Sequence, residues 1–379
     1  MASILLSEYV VSSYGCVSRY KSLLGEAYSM VSAIAKALQR SGVNIVITVS
    51  KYLSNCFKGS VAVVEGDYIE FVSKLSVHFD NVIVIAPPVE LVKTVERIGN
   101  KFLGPSYDVV KRLSHKYETI LTLDKCGVKV PYTRILCRGD DVKQVLKDFT
   151  MPLIVKPVVL AGSECVFIAR GVDDAIKYSQ IAFECDPTGC IVLQEYVDGV
   201  HGSISAVFNN DRVELYSLNL QLILLKGNKL EYRGGILPIR NTVYRGLAEG
   251  VLKKLSNCIN GLRGYIGLDV VWNDSGMYVV EANPRFTTST IGIAEIYEDF
   301  GSVLLGFKKV GGVYLGDITN GYIYIAKNDK SKSSQICPDI SEETPMLTVR
   351  RYNTLKDAIG ETDYKIIEKL AYRVDKDLF

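Results

Sequence analysis

Between Gly267 and Arg285 the chain reads as two short apolar strands around Asp274-Ser275-Gly276, with acids where a sheet would bury apolar residues. A three-residue turn there, with Gly276 in the left-handed conformation, pairs Asn273 with Met277. Four residues back along each strand, Asp269 then stands directly opposite Glu281, and Asn283 falls on the same face. Two carboxylates facing each other across a ladder repel. Flanking Val, Leu and Ile also strip them partly of water. A divalent cation removes both penalties, and an all-oxygen set of this kind suits Mg²⁺.

Two further segments carry chemistry. Lys156 ends the apolar run Leu153-Ile154-Val155 and is followed by the small-residue stretch Ala161-Gly162-Ser163-Glu164-Cys165. A basic residue at the base of such a hairpin, with a tip that lets backbone N–H groups approach an anion, can close over phosphates. Gln194-Glu195-Tyr196-Val197-Asp198-Gly199 ends another apolar strand, against which a flat base can lie.

The elements that must hold these residues follow from periodicity. Strands are expected over 4–10, 43–49 and 82–86, with helices over 24–39, 68–79 and up to Ile98. This alternation predicts a small open α/β sheet over roughly the first 105 residues. It has no G-x-G-x-x-G after its first strand, so a dinucleotide site is not expected there. A helix over 114–126 closes at Gly127. Strands over 152–155, 166–169, 190–197, 203–208 and 213–224 flank a helix over 173–184. A helix over 244–258 precedes the acidic hairpin and another, 288–307, follows it. The tail offers a strand over 322–326 and a polar segment over 328–334 that reads as a loop.

The 379 residues exceed one ordinary core. Net charge is +2 with no dense basic block, which argues against a nucleic-acid partner. The start lacks the pattern of a secretory signal. No apolar run reaches the roughly 18 residues of a membrane span. Nine scattered cysteines without a CxxC pair read as reduced thiols in a cytoplasm.

The ordered set Lys116 in Ser114-His115-Lys116-Tyr117, Gly127-Val128-Lys129-Val130-Pro131, Leu153-Ile154-Val155-Lys156-Pro157, Gln194-Glu195-Tyr196-Val197-Asp198-Gly199, Asp269, and Glu281-Ala282-Asn283-Pro284-Arg285 resembles the ATP-grasp superfamily. The resemblance implies a chain that is α/β and α+β. An open α/β pre-ATP-grasp domain would span 1–110. The ATP-grasp fold would span 111–310, with the nucleotide between subdomains 111–195 and 196–310. A small C-terminal extension, 311–379, would follow. It implies ATP and Mg²⁺ as cofactors, with Mn²⁺ as a substitute. Lys116 and Lys156 would contact phosphates under a loop carrying Gly162 and Ser163. Glu195 and Val197 would border the adenine, and Asp269, Glu281 and Asn283 would hold the metal. His201 stands where many members carry a ribose-binding Glu, and the covering loop is poorer in glycine than usual. Leu6-Ser7-Glu8-Tyr9, Glu26-Ala27-Tyr28-Ser29-Met30 and Tyr232-Arg233-Gly234-Gly235-Ile236-Leu237-Pro238 resemble an archaeal group that includes tyramine–L-glutamate ligase.

The chemistry expected is ATP-dependent amide formation between a small-molecule carboxylate and an amine, through an acylphosphate. Arg285 is the candidate for orienting the phosphoryl or acyl group. Arg233 and Arg240, in a Gly- and Pro-punctuated stretch, are candidates for a substrate carboxylate. A kinase on the same scaffold and a non-catalytic nucleotide sensor are the alternatives. The tail could complete the acceptor site, support a homodimer or cover the core. Neither nucleic acid nor membrane is expected as a partner.

Overall fold

The computed structural model describes residues 2–13, 21–328 and 346–361. The alternation at the start of the chain builds β1 (Ser3–Glu8), α1 (Tyr9–Ser13), α2 (Leu24–Arg40), β2 (Asn44–Val49), β3 (Ser60–Val63), α3 (Tyr68–Ser76), β4 (Asn81–Ile85) and α4 (Pro88–Ile98). The four strands form a parallel sheet in the order β3-β2-β1-β4. The chain leaves β1 to one side and returns to its other side, so the order reverses between β1 and β4. β1 is shorter than its apolar run suggests. At Tyr9 the backbone turns into α1, and Glu8 Oε2 caps the turn by accepting the Val11 N–H at 2.7 Å.

The chain continues through α5 (Tyr107–Leu113), α6 (Lys116–Lys125), β5 (Thr133–Cys137), α7 (Val142–Leu146), β6 (Leu153–Pro157), β7 (Phe167–Ala169), α8 (Val172–Cys185) and β8 (Cys190–Glu195). Next come β9 (Val200–Asn209), β10 (Arg212–Lys226), β11 (Lys229–Leu237), α9 (Thr242–Cys258), β12 (Gly264–Asn273), β13 (Gly276–Asn283), α10 (Ser289–Ile296) and α11 (Phe300–Leu304). The tail adds β14 (Val313–Tyr314), α12 (Leu315–Ile318), β15 (Tyr322–Asn328), β16 (Met346–Tyr352) and α13 (Leu355–Gly360). The main path of the second sheet is β13-β12-β9-β10-β11-β7-β6-β8-β5. Its two antiparallel halves have separate cores, one under α7 and α8, the other under α9. They join through one pair, Lys229 with Phe167, and a cleft opens between them.

Two further readings change. The stretch around Arg233 is not a loop but β11, whose Gly234 (φ +138°) lies where an added Cβ would meet the Ile325 carbonyl at 1.9 Å. The glycine lets β15 pair alongside. The expected helix over 288–307 is two, since α10 stops at Ile296 and the chain is extended at Tyr297. The polar segment lies, after Asn328, outside the described residues.

The described cysteines are not reduced. Disulfides join Cys126 to Cys258, Cys137 to Cys190 and Cys165 to Cys185, and Cys56 is also disulfide-bonded. The pairings are long-range, 132, 53 and 20 residues apart. Only the topology brings them together: Cys137 and Cys190 are partners across the β5–β8 ladder. Spacing along the chain carries no sign of such pairs. Among the described residues, no helix is long and apolar enough to cross a membrane.

Candidate active site

The acidic hairpin is the centre of the site, and its register has an unexpected origin. The turn is tighter than the sequence suggests, pairing Asn273 with Gly276 and Trp272 with Met277. That slip alone would offset the acids. A bulge between Asp269 and Val270 leaves Val280 without an opposite partner and restores the pairing of Asp269 with Glu281. Two departures from the expected ladder cancel.

Asp269 is held by amides. Gln221 Nε2 donates to its Oδ1 at 2.7 Å and Asn283 Nδ2 to its Oδ2 at 3.2 Å. Burial, with Glu281 opposite, pushes the Asp269 carboxyl up to about 6. This is the behaviour of a buried acid that faces a like charge. Gln221 was not anticipated, although Ser217-Leu218-Asn219-Leu220-Gln221-Leu222 alternates strictly and sets a polar face along β10.

Both expected lysines reach this hairpin, Lys156 from the other half of the sheet and Lys116 from α6, which packs beside β13. Lys116 is the first residue of α6, whose N-cap is the His115 side chain. Its Nζ donates to the Leu160 carbonyl and lies 3.7 Å from Glu281 Oε1. Lys156, only 5% exposed, donates to Gln194 Oε1 at 3.0 Å and to the Val280 carbonyl at 3.2 Å. Gln194 is itself held by its Nε2 on Thr133 Oγ1. Burial, and then the nearby Lys116 charge, pull Lys156 down to about 8 against the opposing pull of Glu281 and Asp269. The two buried ammonium groups and the two carboxylates share one cavity of about 690 Å³.

The remaining expected residues line the same cavity. Gly162 and Ser163 are exposed at its edge, in a turn where Gly162, Ser163 and Cys165 all take positive φ. The Cys165–Cys185 disulfide ties this turn to the end of α8. Glu195 ends β8, and its N–H is committed to the Tyr132 carbonyl at 2.8 Å. The Glu195 carbonyl is not engaged by that bond, and Glu195, Tyr196 and Val197 all line the cavity. His201 lies on β9 opposite Val271 and faces the cavity.

Arg285 donates to the Phe286 carbonyl at 3.2 Å and to Asn283 Oδ1 at 3.3 Å. Burial pulls its guanidinium down, while Glu281, Asp269 and Glu8 hold its charge. Arg233 lines the cavity and lies 3.9 Å from Glu231. Arg240 does not reach it. Its guanidinium donates to the carbonyls of Gly316, Thr319 and Gly321 and stacks over Tyr322, so it clamps the tail. A second wall was not foreseen: Glu8, Glu26, Tyr232 and Lys327. Lys327 Nζ meets Glu26 Oε1 at 2.8 Å, and Thr288 donates to the other oxygen at 3.2 Å.

Comparisons with known proteins agree with this architecture. Residues 113–289 match the family model described as an ATP-grasp domain. Tyramine–L-glutamate ligase of Methanocaldococcus jannaschii is 28% identical over 224 residues, covering 58% of this chain and 59% of that protein. The chain therefore spans about three-fifths of that relative's length. Among solved structures, an ATP-grasp superfamily protein from Archaeoglobus fulgidus has a TM-score of 0.65 at 23% identity, covering 93% of this chain and 100% of its own. Phosphoribosylamine–glycine ligase from Thermotoga maritima has a TM-score of 0.71 at 15% identity, covering 98% and 96%.

Proposed function

We propose that this chain, which carries an ATP-grasp domain and has the ATP-grasp fold, is an ATP-dependent carboxylate–amine ligase. The observation that carries the reading is the meeting of two buried lysines with two opposed carboxylates on one cavity. Nucleotide phosphates would add anions between Lys116 and Lys156, and Mg²⁺ would add positive charge between Asp269 and Glu281, beyond the ion pair of Lys116 with Glu281. The depressed lysine and the raised aspartate fit both groups. Asn283 presents nitrogen to Asp269 and oxygen to Arg285, so its amide would turn over to ligate a cation. When bound, the cation would neutralise charge on the phosphoryl group being transferred.

The chain's own residues would do the rest. Lys116 and Lys156 would hold the phosphates in line with the acid. Arg285 would orient the carboxylate with its planar fork. The turn at Gly162 and Ser163 would cover the site and keep water from the acylphosphate. Glu195 and Val197 would border the base, with Tyr196 between them on the cavity wall. His201 would reach the ribose. The amine nitrogen would then form the C–N bond as the C–O bond to phosphate breaks, and the departing phosphate would take the amine's proton.

The relative's name suggests a first pair to try, glutamate with tyramine. The test is ADP release with Mg²⁺-ATP across a grid of acids and amines, with products read by mass. ADP that requires both an acid and an amine, with an amide product, is expected. ADP with one substrate and a stable phosphorylated product would make the protein a kinase.

A further inference from the structure

The order of the parallel sheet reverses between β1 and β4, and open α/β sheets bind ligands at the carboxyl ends of strands at such a switch point. Here that place is occupied by Glu8, the last residue of β1, in register with Ile85, the last residue of β4. Glu8 is 3% exposed, yet it borders the cavity. Around it the wall is apolar: Val10, Ala27, Met30, Ile85 and Pro87, from α1, α2 and the end of β4. The arrangement is lopsided. A buried carboxyl sits at the back of a greasy crevice, and the ligase machinery lies across the same cavity.

We infer that this crevice is the acceptor subsite, where Glu8 receives the ammonium group of an amine whose apolar carbon body lies along Val10, Ala27, Met30, Ile85 and Pro87. The inference rests on the ligase reading for the word acceptor, and on the geometry alone for the ligand's chemistry. A buried carboxyl needs a counter-charge. The Val11 N–H serves one oxygen, and the Arg285 guanidinium, the cation that acts on Glu8, is shared with Glu281 and Asp269, so the Glu8 carboxyl is only partly offset. Burial holds the carboxyl up at about 8 when no ligand is bound, so at neutral pH Glu8 keeps a proton that it can pass to an arriving amine, forming the ammonium–carboxylate pair away from solvent. Glu26, the other acid on this wall, is already paired with Lys327 and is not an open ammonium site. The apolar lining selects for the body: each buried methylene contributes about 0.8 kcal/mol.

The test is binding without turnover, in the presence of Mg²⁺ and a non-hydrolysable ATP analogue. Calorimetry would compare 2-phenylethylamine and hexylamine with 2-phenylethanol, hexan-1-ol and ethylamine, on wild type, Glu8→Gln and Met30→Gln. Gln keeps an oxygen for the Val11 N–H, so the capping turn survives, and circular dichroism checks the fold. The two apolar amines should bind at least tenfold more tightly than the alcohols. Glu8→Gln should lose that advantage, and Met30→Gln should narrow the gap between hexylamine and ethylamine. The inference is overturned if amines and alcohols bind alike, if wild type binds none of them, or if Glu8→Gln weakens glutamate instead of the amines. The two readings fail separately. Amines bound at Glu8 with no amide from any acid would remove the ligase and leave the subsite. Amide formation unaffected by Glu8→Gln would remove the subsite and leave the ligase.

Discussion

Lys156 donates its ammonium to the carbonyl of Val280, the residue squeezed out of the ladder by the bulge in the acidic hairpin. The same irregularity that sets Asp269 opposite Glu281 thus also binds the lysine of β6 to β13, across the cleft. Replacing Lys156 by Met should weaken binding of an ATP analogue at least tenfold, about 1.4 kcal/mol. The melting temperature should hold or rise, because the cost of burying an ammonium disappears with it. Titration calorimetry decides; an unchanged affinity would mark Lys156 as a purely structural bridge.

The carboxylate pair should behave oppositely with and without metal. Glu281→Gln removes one repelling charge, so the metal-free protein should melt no lower than wild type. Mg²⁺ should then stabilise it far less, and turnover should fall by about 10² or more. Thermal melts over a Mg²⁺ series check this, and a wild-type response to Mg²⁺ would end the metal assignment.

Among the described residues Arg285 makes two hydrogen bonds, one from each Nη and both over 3 Å, which leaves Nε–H and the second N–H of each Nη for a ligand. Lys at this position keeps the charge but not the fork. Arg285→Lys should lower kcat by about tenfold to a hundredfold with little change in KM for ATP. Loss confined to ATP binding would move Arg285 out of the acyl end of the site.

The buried acids predict how stability follows pH. Glu8 has its folded value raised from the usual carboxylate range to about 8 by burial. Between about 4.5 and 8 the unfolded chain has released this proton while the folded protein keeps it. Stability should therefore fall as pH rises through that window, by at most about 1.4 kcal/mol per pH unit from this group. Asp269 adds to the slope below about 6. Glu8→Gln should flatten the upper part of the curve, and a slope unchanged in that variant would mean Glu8 ionises normally.

Cys126 follows α6 directly and Cys258 ends α9, and their disulfide closes the longest described loop, the two cysteines standing 132 residues apart. Replacing both by Ser should cost about 2–5 kcal/mol. The measurement is a melt with and without reductant, beside a thiol titration of the unfolded, unreduced chain. Nine free thiols there would mean that the pairs do not form.

The site was legible where chemistry leaves a local mark. Asp269, Glu281 and Asn283 stand out as polar residues inside an apolar hairpin, and Lys156 as a charge ending an apolar strand. The turn and the bulge were not legible, because nothing in Val279-Val280-Glu281 distinguishes a paired residue from an extra one. Arg240 misled because a guanidinium beside Pro238 looks the same whether it faces a ligand or three carbonyls of a distant segment. Glu8 stayed hidden for the opposite reason. The strand expected over 4–10 runs through Glu8, and only the fold ends it there, turns the chain at Tyr9 and buries the acid.

The topology also dictates an order of assembly. The parallel sheet and its helices are complete once Ile98 has been made, so this unit can close while the ribosome is still working. The large sheet cannot, because β9 sits between β10 and β12, and β11 waits for β15. Meanwhile one flank of α2 has no cover. Its apolar residues join a core that includes Ile291, Ile293, Phe300 and Leu304. The nascent chain must therefore carry an uncovered greasy helix through most of its synthesis, and interior pairings this distant in sequence are slow to form. Refolding yield from denaturant should fall with protein concentration, and added chaperone should rescue it.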